Sequence, residues 1–136
     1  LKLTGKLKIA LNGETVQEVD NLVVTDGKEY VASRMKDATK TAMSHMAIGS
    51  GSTAAAAGNS ALGSELGRVA LTSTNVASNV VTYAATFAAG TGTGAVTEAG
   101  ILNANTSGEL LCRTVFSVVN KGSSDSMTIT WTVTVS

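Results

Sequence analysis

The sequence predicts a mostly-β fold: a single β-sandwich domain of jelly-roll or immunoglobulin-like type over residues 1–136, with one short helix and an N-terminal β-hairpin. Two observations carry this prediction. Apolar and polar residues alternate in several segments, most clearly over residues 127–135. Turn-forming residues separate seven or eight such segments at even spacing. The length fits one domain and is enough to bury a core.

The N-terminal segment alternates leucine or isoleucine with mainly lysine over residues 1–11. Asn12-Gly13 follows, and both residue types tolerate the positive φ of a type I′ turn, so a hairpin is predicted. The return strand, about residues 14–21, is acidic and can pair with the lysines. Val16 and Val19 are three apart, which favours a bulge in that strand.

One helix is predicted over residues 26–37. Asp26 with Glu29 three positions later forms a capping-box pattern. Val31 and Met35 then follow at helical spacing and are predicted to face the core.

Short strands are predicted at about 43–49, 68–73, 79–88, 97–103, 109–119 and 127–135. Residues 49–60 are small and uncharged, which indicates a long loop, with a short helix at 54–57 left open. The predicted core, in which Leu111 is chosen over Leu110 without a deciding signal, comprises Leu7, Ile9, Val31, Met35, Ile48, Val81, Tyr83, Phe87, Ile101, Leu111, Val115, Ile129, Trp131 and Val133.

The charge composition limits the possible partners. Ten basic residues balance ten acidic ones, so the chain lacks the basic field of a nucleic-acid binder, and no nucleic-acid partner is expected. No apolar stretch reaches membrane-spanning length, so no membrane partner is expected either. The charged fraction of 15% is low. This low charge is either a chance composition or the mark of a surface covered in an assembly.

No set of residues predicts catalysis, a cofactor or a metal. His45 is the only histidine and Cys112 the only cysteine, and neither has partners at ligand spacing. Ser33 and Lys36 have the spacing of an acylating motif, but its companion motifs are absent. We therefore expect no enzyme and no cofactor.

Several segments resemble small structural proteins of tailed-bacteriophage virions over about residues 22–136. They are Met46-Ala-Ile-Gly-Ser-Gly51, Leu62-Gly-Ser-Glu-Leu-Gly-Arg68, Thr97-Glu-Ala-Gly-Ile-Leu-Asn103, Leu110-Leu-Cys-Arg-Thr-Val-Phe116 and the segment from Lys121 through Trp131. Such a pattern is similar to that of proteins described as tail-fibre, baseplate or head-decoration components. The resemblance implies a non-enzymatic virion protein and does not separate head from tail.

The function expected from these observations is capsid decoration. Such a protein, also called a cement protein, would sit on the capsid surface of the virion, bind across subunits of the major capsid protein and stabilise the head, and it is expected to be a homo-oligomer. The alternative is a tail-fibre or baseplate component acting in host adhesion. A hydrolase is disfavoured because no acid–base pair or nucleophile set is found.

The predicted partner-binding residues lie in the two terminal strands. They are Leu1, Leu3, Lys6, Leu7, Lys8, Ile9, Thr128, Thr130 and Thr132. The threonines carry no charge that a partner would have to desolvate. The apolar side of residues 1–21 needs a cover, because two strands alone are marginal in water. Either the hairpin is an arm that reaches a neighbouring subunit, with its outer edge extending a partner's sheet, or the chain's own sheets cover it.

Overall fold

A computed structural model describes all residues from 1 to 136 and contains nine strands and one helix. The elements are β1 (Leu3–Leu11), β2 (Glu14–Val23), α1 (Thr25–Lys36), β3 (His45–Gly49), β4 (Glu65–Ala70), β5 (Ser73–Ala77), β6 (Val80–Phe87), β7 (Gly94–Leu102), β8 (Leu110–Lys121) and β9 (Met127–Val135). The mostly-β class, the single helix and the N-terminal hairpin are thus confirmed.

The nine strands form one antiparallel sheet, curled into a half-barrel, with the order β4-β3-β7-β8-β2-β1-β9-β6-β5. The finer prediction of a sandwich of two sheets is not confirmed. The reason lies in β2, which pairs with β1 through Asn21 and then with β8 through Leu22 and Val23. Strand β2 therefore joins two halves of the sheet. We call them the β1 half (β2, β1, β9, β6 and β5) and the β8 half (β4, β3, β7 and β8).

The N-terminal hairpin is built into the middle of this sheet. Asn12 and Gly13 have φ values of 51° and 83°, as the predicted turn requires. The register shifts between Ile9 and Ala10, which leaves Val16 of β2 as the extra residue of a bulge. On its other side, β1 pairs with β9 from Leu3 to Leu11. Strand β1 is therefore not an edge, and it cannot extend a partner's sheet in this fold.

Helix α1 begins one residue before the predicted start, and its cap differs from the prediction. Val24 occupies the N-cap position without a side-chain hydrogen bond, and Asp26 lies in the first turn. The buried residues of the helix are Gly27 and Tyr30. Gly27 brings the helix against the backbone of Leu111 in β8, where a Cβ atom would collide with the carbonyl group. Met35 lies in the last turn of the helix, C-terminal to these buried residues, and is 81% exposed, so the prediction of Met35 as a core residue is wrong.

The main core lies inside the curl and draws residues from both halves of the sheet. Most of the predicted core is confirmed as buried, while Val31 and Val81 are only partly buried against it and Val115 is intermediate. Leu110 and Leu111 are both buried, because β8 is covered on both faces at this point. The predicted core did not include the other buried members of this main cluster, which are Val23, Tyr30, Met43, Met46, Ala85, Val96, Ala99, Cys112, Phe116, Val119 and Met127.

Two further differences concern short segments. Strand β5 was not predicted, because its five exposed residues carry no apolar alternation. The long loop expected at 49–60 is observed at 50–64, and no helix forms at 54–57.

Candidate functional site: the outer face of the β1 half

The nine predicted contact residues lie on two opposite sides of the sheet. Leu7 and Ile9 are completely buried in the protein's own core, and Leu3 is partly buried against it. The apolar side of the hairpin is therefore covered by the chain itself, so Leu7 and Ile9 are not available to a partner in this fold. Leu1 remains fully exposed at the start of the chain.

The other five predicted residues share the outer side of the sheet. Register places Lys6 beside Thr132 and Lys8 beside Thr130 in the β1–β9 pair. On the far side of β9, Thr132 pairs with Thr82 and Thr128 pairs with Thr86. We call this surface the threonine face, and it comprises Thr4, Lys6, Lys8, Thr82, Thr86, Thr128, Thr130, Thr132 and Thr134.

The threonine face is regular and close to neutral. Adjacent strands place its side chains about 4.8 Å apart across the sheet and about 6.7 Å apart along each strand. Thr86 and Thr128 are linked through their hydroxyl groups at 3.0 Å. Lys6 lies beside Asp20, and Lys8 lies beside Glu18, on β2. These neighbours balance the lysine charges, yet neither lysine forms a salt bridge.

Two surface depressions border this region. One, of about 350 Å³, lies on the threonine face and is lined only by polar residues and glycine: Thr4, Gly5, Lys6, Asp20, Thr132 and Thr134. The other, of about 530 Å³, lies between the start of β1, the end of β9 and helix α1. Its lining combines apolar Leu1, Leu3, Val31 and Val135 with Lys2, Thr4 and Lys28.

The outer side of the β8 half is occupied by the loop 50–64. The loop is fixed by a completely buried Glu98, whose Oε1 and Oε2 accept hydrogen bonds from the backbone N–H groups of Gly63 (2.7 Å), Ser64 (2.8 Å) and Gly51 (2.6 Å). Arg113, 2% exposed, donates to Glu98 Oε1 from Nε at 3.0 Å. We call this arrangement the loop clasp.

Arg113 completes the loop clasp from the other side. Its Nη1 donates to Asn59 Oδ1 and its Nη2 to the Thr53 carbonyl oxygen, each at 3.0 Å. Burial alone would raise the pKa of Glu98, but the hydrogen bonds from Gly63, Ser64, Gly51 and Arg113 together hold that pKa below its ordinary value. Glu98 is therefore a charged structural ligand of the loop.

The loop clasp brings together residues from four of the segments quoted in the sequence analysis. Gly51 ends the first, Gly63 and Ser64 lie in the second, Glu98 belongs to the third and Arg113 to the fourth. Of the two carboxylates close to it in sequence, Glu98 and Glu109, Arg113 forms its buried ion pair with Glu98, whose Oε1 lies 2.9 Å from Nη2. Glu109 instead binds Lys40, at 2.6 Å.

The single histidine and cysteine have structural surroundings. His45 Nδ1 contacts the neighbouring Ser44 hydroxyl at 2.8 Å. Cys112 is completely buried, and this burial raises the pKa of its thiol strongly. No group of three or more histidine, cysteine, aspartate or glutamate side chains is placed to hold a metal ion. Helix α1 is too short to cross a bilayer, and the chain has no longer helix.

Comparison with known proteins adds no relative. No protein-family profile, no curated protein and no solved structure matches the chain.

Proposed function

We propose that this chain is a non-enzymatic structural protein of a bacteriophage virion, namely a capsid decoration protein that binds across subunits of the major capsid protein. The observation that carries the proposal is the threonine face. A partner can cover its hydroxyl groups without removing a fixed charge from water, and its two free lysines can meet acidic groups at the margin of the contact.

A rigid support makes this face suited to a stabilising role. Strands β1, β9 and β6 pair along most of their lengths, and Trp131 and Ile129 anchor them from beneath with no exposure. A preorganised surface loses little conformational entropy when it binds. Many copies bound across subunit junctions would then add their small binding energies to the stability of the shell.

The test is attachment to assembled empty heads of the phage that encodes the chain. Saturable co-sedimentation and a raised melting temperature of the shell are expected. Thr132→Glu places a carboxylate at the centre of the threonine face, and we expect it to weaken attachment by about tenfold or more, because that charge must be desolvated. Thr106→Glu makes the same change in an exposed loop away from the face and should bind as the wild type does.

A different result would redirect the proposal. Attachment to tails, seen by gold labelling of virions, with no attachment to heads, would support the tail-fibre or baseplate alternative. Equal head binding by Thr132→Glu and Thr106→Glu would show that the threonine face is not the contact surface.

A further inference from the structure

Strand β5 forms an exposed edge of the sheet. It pairs on one side with β6, and its other side has no neighbouring strand. All five residues, Ser73–Ala77, are exposed, and Val76 is 66% exposed. An edge strand of this kind presents unpaired backbone N–H and carbonyl groups that can pair with another strand.

The edge at β5 lacks the features that normally prevent such pairing. Proteins protect their edges with charged side chains, prolines or bulges. The chain contains no proline, and residues 69–97 include no charged residue and no histidine. The pairing of β5 with β6 also runs without a register shift, so no bulge turns the edge away.

The opposite edge of the same sheet is protected. Strand β4 carries Glu65 and Arg68, which form a salt bridge of 2.7 Å. Arg68 also donates two hydrogen bonds of 2.9 Å, to the carbonyl oxygens of Ala104 and Ser107, and so ties a loop beside this strand. The contrast shows that the two edges of one sheet are built differently, and only the β5 edge is open.

We propose that β5 pairs antiparallel with β5 of a second copy of this chain, with a two-fold axis at Asn75. Two identical strands meet without like-charge repulsion here, because neither carries a charge. The two-fold register sets Asn75 against Asn75 of the second copy and Thr74 against Val76. Thr74 pairs with Tyr83 of β6 and Val76 pairs with Val81, so both side chains lie on the concave side of the sheet. In the dimer, Thr74 of the second copy would partly cover the exposed Val76 on that side.

The pairing joins two sheets into one and places both threonine faces on the same continuous surface. The inference goes beyond the proposed function and does not depend on it, because the pairing is measured on the isolated protein. Five residues on each side make a small interface, so a micromolar dissociation constant is expected. The dimer would become stable at lower concentrations only where further contacts hold both copies together.

Sedimentation equilibrium over a concentration series tests the pairing. Wild-type protein should shift from 13.7 kDa towards twice that mass as its concentration rises. Asn75→Lys and Asn75→Glu should each stay monomeric, because like charges then oppose each other at the axis. An equimolar mixture of the two variants should regain the dimer, because opposite charges then meet. Asn105→Lys, which adds the same charge on an exposed loop, should dimerise as the wild type does.

A cross-link tests the register separately. Asn75→Cys should form a disulfide-linked dimer on mild oxidation, since the two-fold register brings the two residues opposite each other. Ser73→Cys should not, because the register separates the two copies of residue 73 by roughly 13 Å along the strands. A wild-type protein that stays monomeric at every concentration overturns the proposal, and so does a dimer that survives Asn75→Lys. If the charged variants fail to fold, as judged by Trp131 fluorescence, the two cysteine variants decide the outcome.

Discussion

The loop clasp allows a sharp prediction of stability from one substitution, Glu98→Gln. The change keeps the size of the side chain but replaces one carboxylate oxygen by an NH₂ group. Oε1 accepts hydrogen bonds from Gly63 and Arg113, and Oε2 accepts them from Gly51 and Ser64. Whichever oxygen is replaced, an NH₂ group therefore faces two N–H donors.

The expected loss follows from these contacts. Two hydrogen bonds to a charged acceptor are lost, each worth about 1.5–3 kcal/mol. Arg113, which is almost fully buried, also loses its counter-charge, and breaking a buried pair costs about 3–5 kcal/mol. We therefore expect Glu98→Gln to lower the free energy of unfolding by about 3–5 kcal/mol, a large part of the roughly 5–15 kcal/mol that holds a domain together.

Urea denaturation followed by Trp131 fluorescence measures this loss. Trp131 is the only tryptophan and is fully buried, so its emission reports loss of the core. With an ordinary urea dependence, the midpoint should fall by about 2 M. Glu109→Gln is the matched control, because it removes a carboxylate whose salt bridge with Lys40 is partly exposed, and its effect should be much smaller.

The pH dependence checks the same contacts. The folded-state pKa of Glu98 is lowered. The stabilisation that its carboxylate gives the folded state is therefore complete above the ordinary pKa of 4.5 and is lost as the pH falls through the folded-state pKa. Wild-type stability should therefore decline below about pH 4.5, and Glu98→Gln should decline less steeply. A Glu98→Gln midpoint within about 0.3 M urea of the wild type would refute the assignment of Glu98 as the central ligand of the loop.

Three further predictions concern other parts of the fold. A glycine-to-alanine change stabilises an ordinary helix by about 1 kcal/mol. In Gly27→Ala, however, the new Cβ atom would collide with the Leu111 carbonyl, so the melting temperature should fall. Cys112 should resist a thiol reagent in the native protein, because it is buried and its thiol pKa is strongly raised, and it should react in 6 M guanidinium chloride as unfolding exposes it. Asn12→Ala should lower the urea midpoint, because Asn12 adopts positive φ and binds Asp125 through its side chain; Asn12→Gly keeps the turn conformation and should lose less.

The elements predicted correctly are those whose signal lies within one short stretch of sequence. Period-two alternation located the strands around residues 1–11 and 127–135, and Asn12-Gly13 located the turn between β1 and β2. The same alternation placed Lys6, Lys8 and the threonines on the side opposite Leu7 and Ile9. It could not decide what covers the apolar side, because a hydrophobic surface requires a cover without identifying it.

The elements that sequence could not predict depend on contacts between distant segments. Met35 was assigned to the core by helical spacing, but α1 packs against β8 closer to its start, at Gly27, which carries no hydrophobic signal. The passage of β2 from one half of the sheet to the other depends on where β8 lies. The burial of Glu98 depends on backbone N–H groups of the loop 50–64. Nearly every residue type has a backbone N–H group, so the residue types in the loop do not reveal this contact.

The two halves of the sheet differ in what covers their outer sides, and the order of buried and exposed residues along their strands differs accordingly. In the β8 half the clasped loop covers the outer side, with Leu62 packed over Gly100, and β7 and β8 consequently contain consecutive buried residues. In β9 buried residues alternate with partly exposed threonines, because only the inner side is covered. The free side of the sheet is therefore the threonine face, and its open margin is β5. The contact surface proposed above therefore lies in this half of the molecule, because the loop 50–64 covers the outer side of the other half.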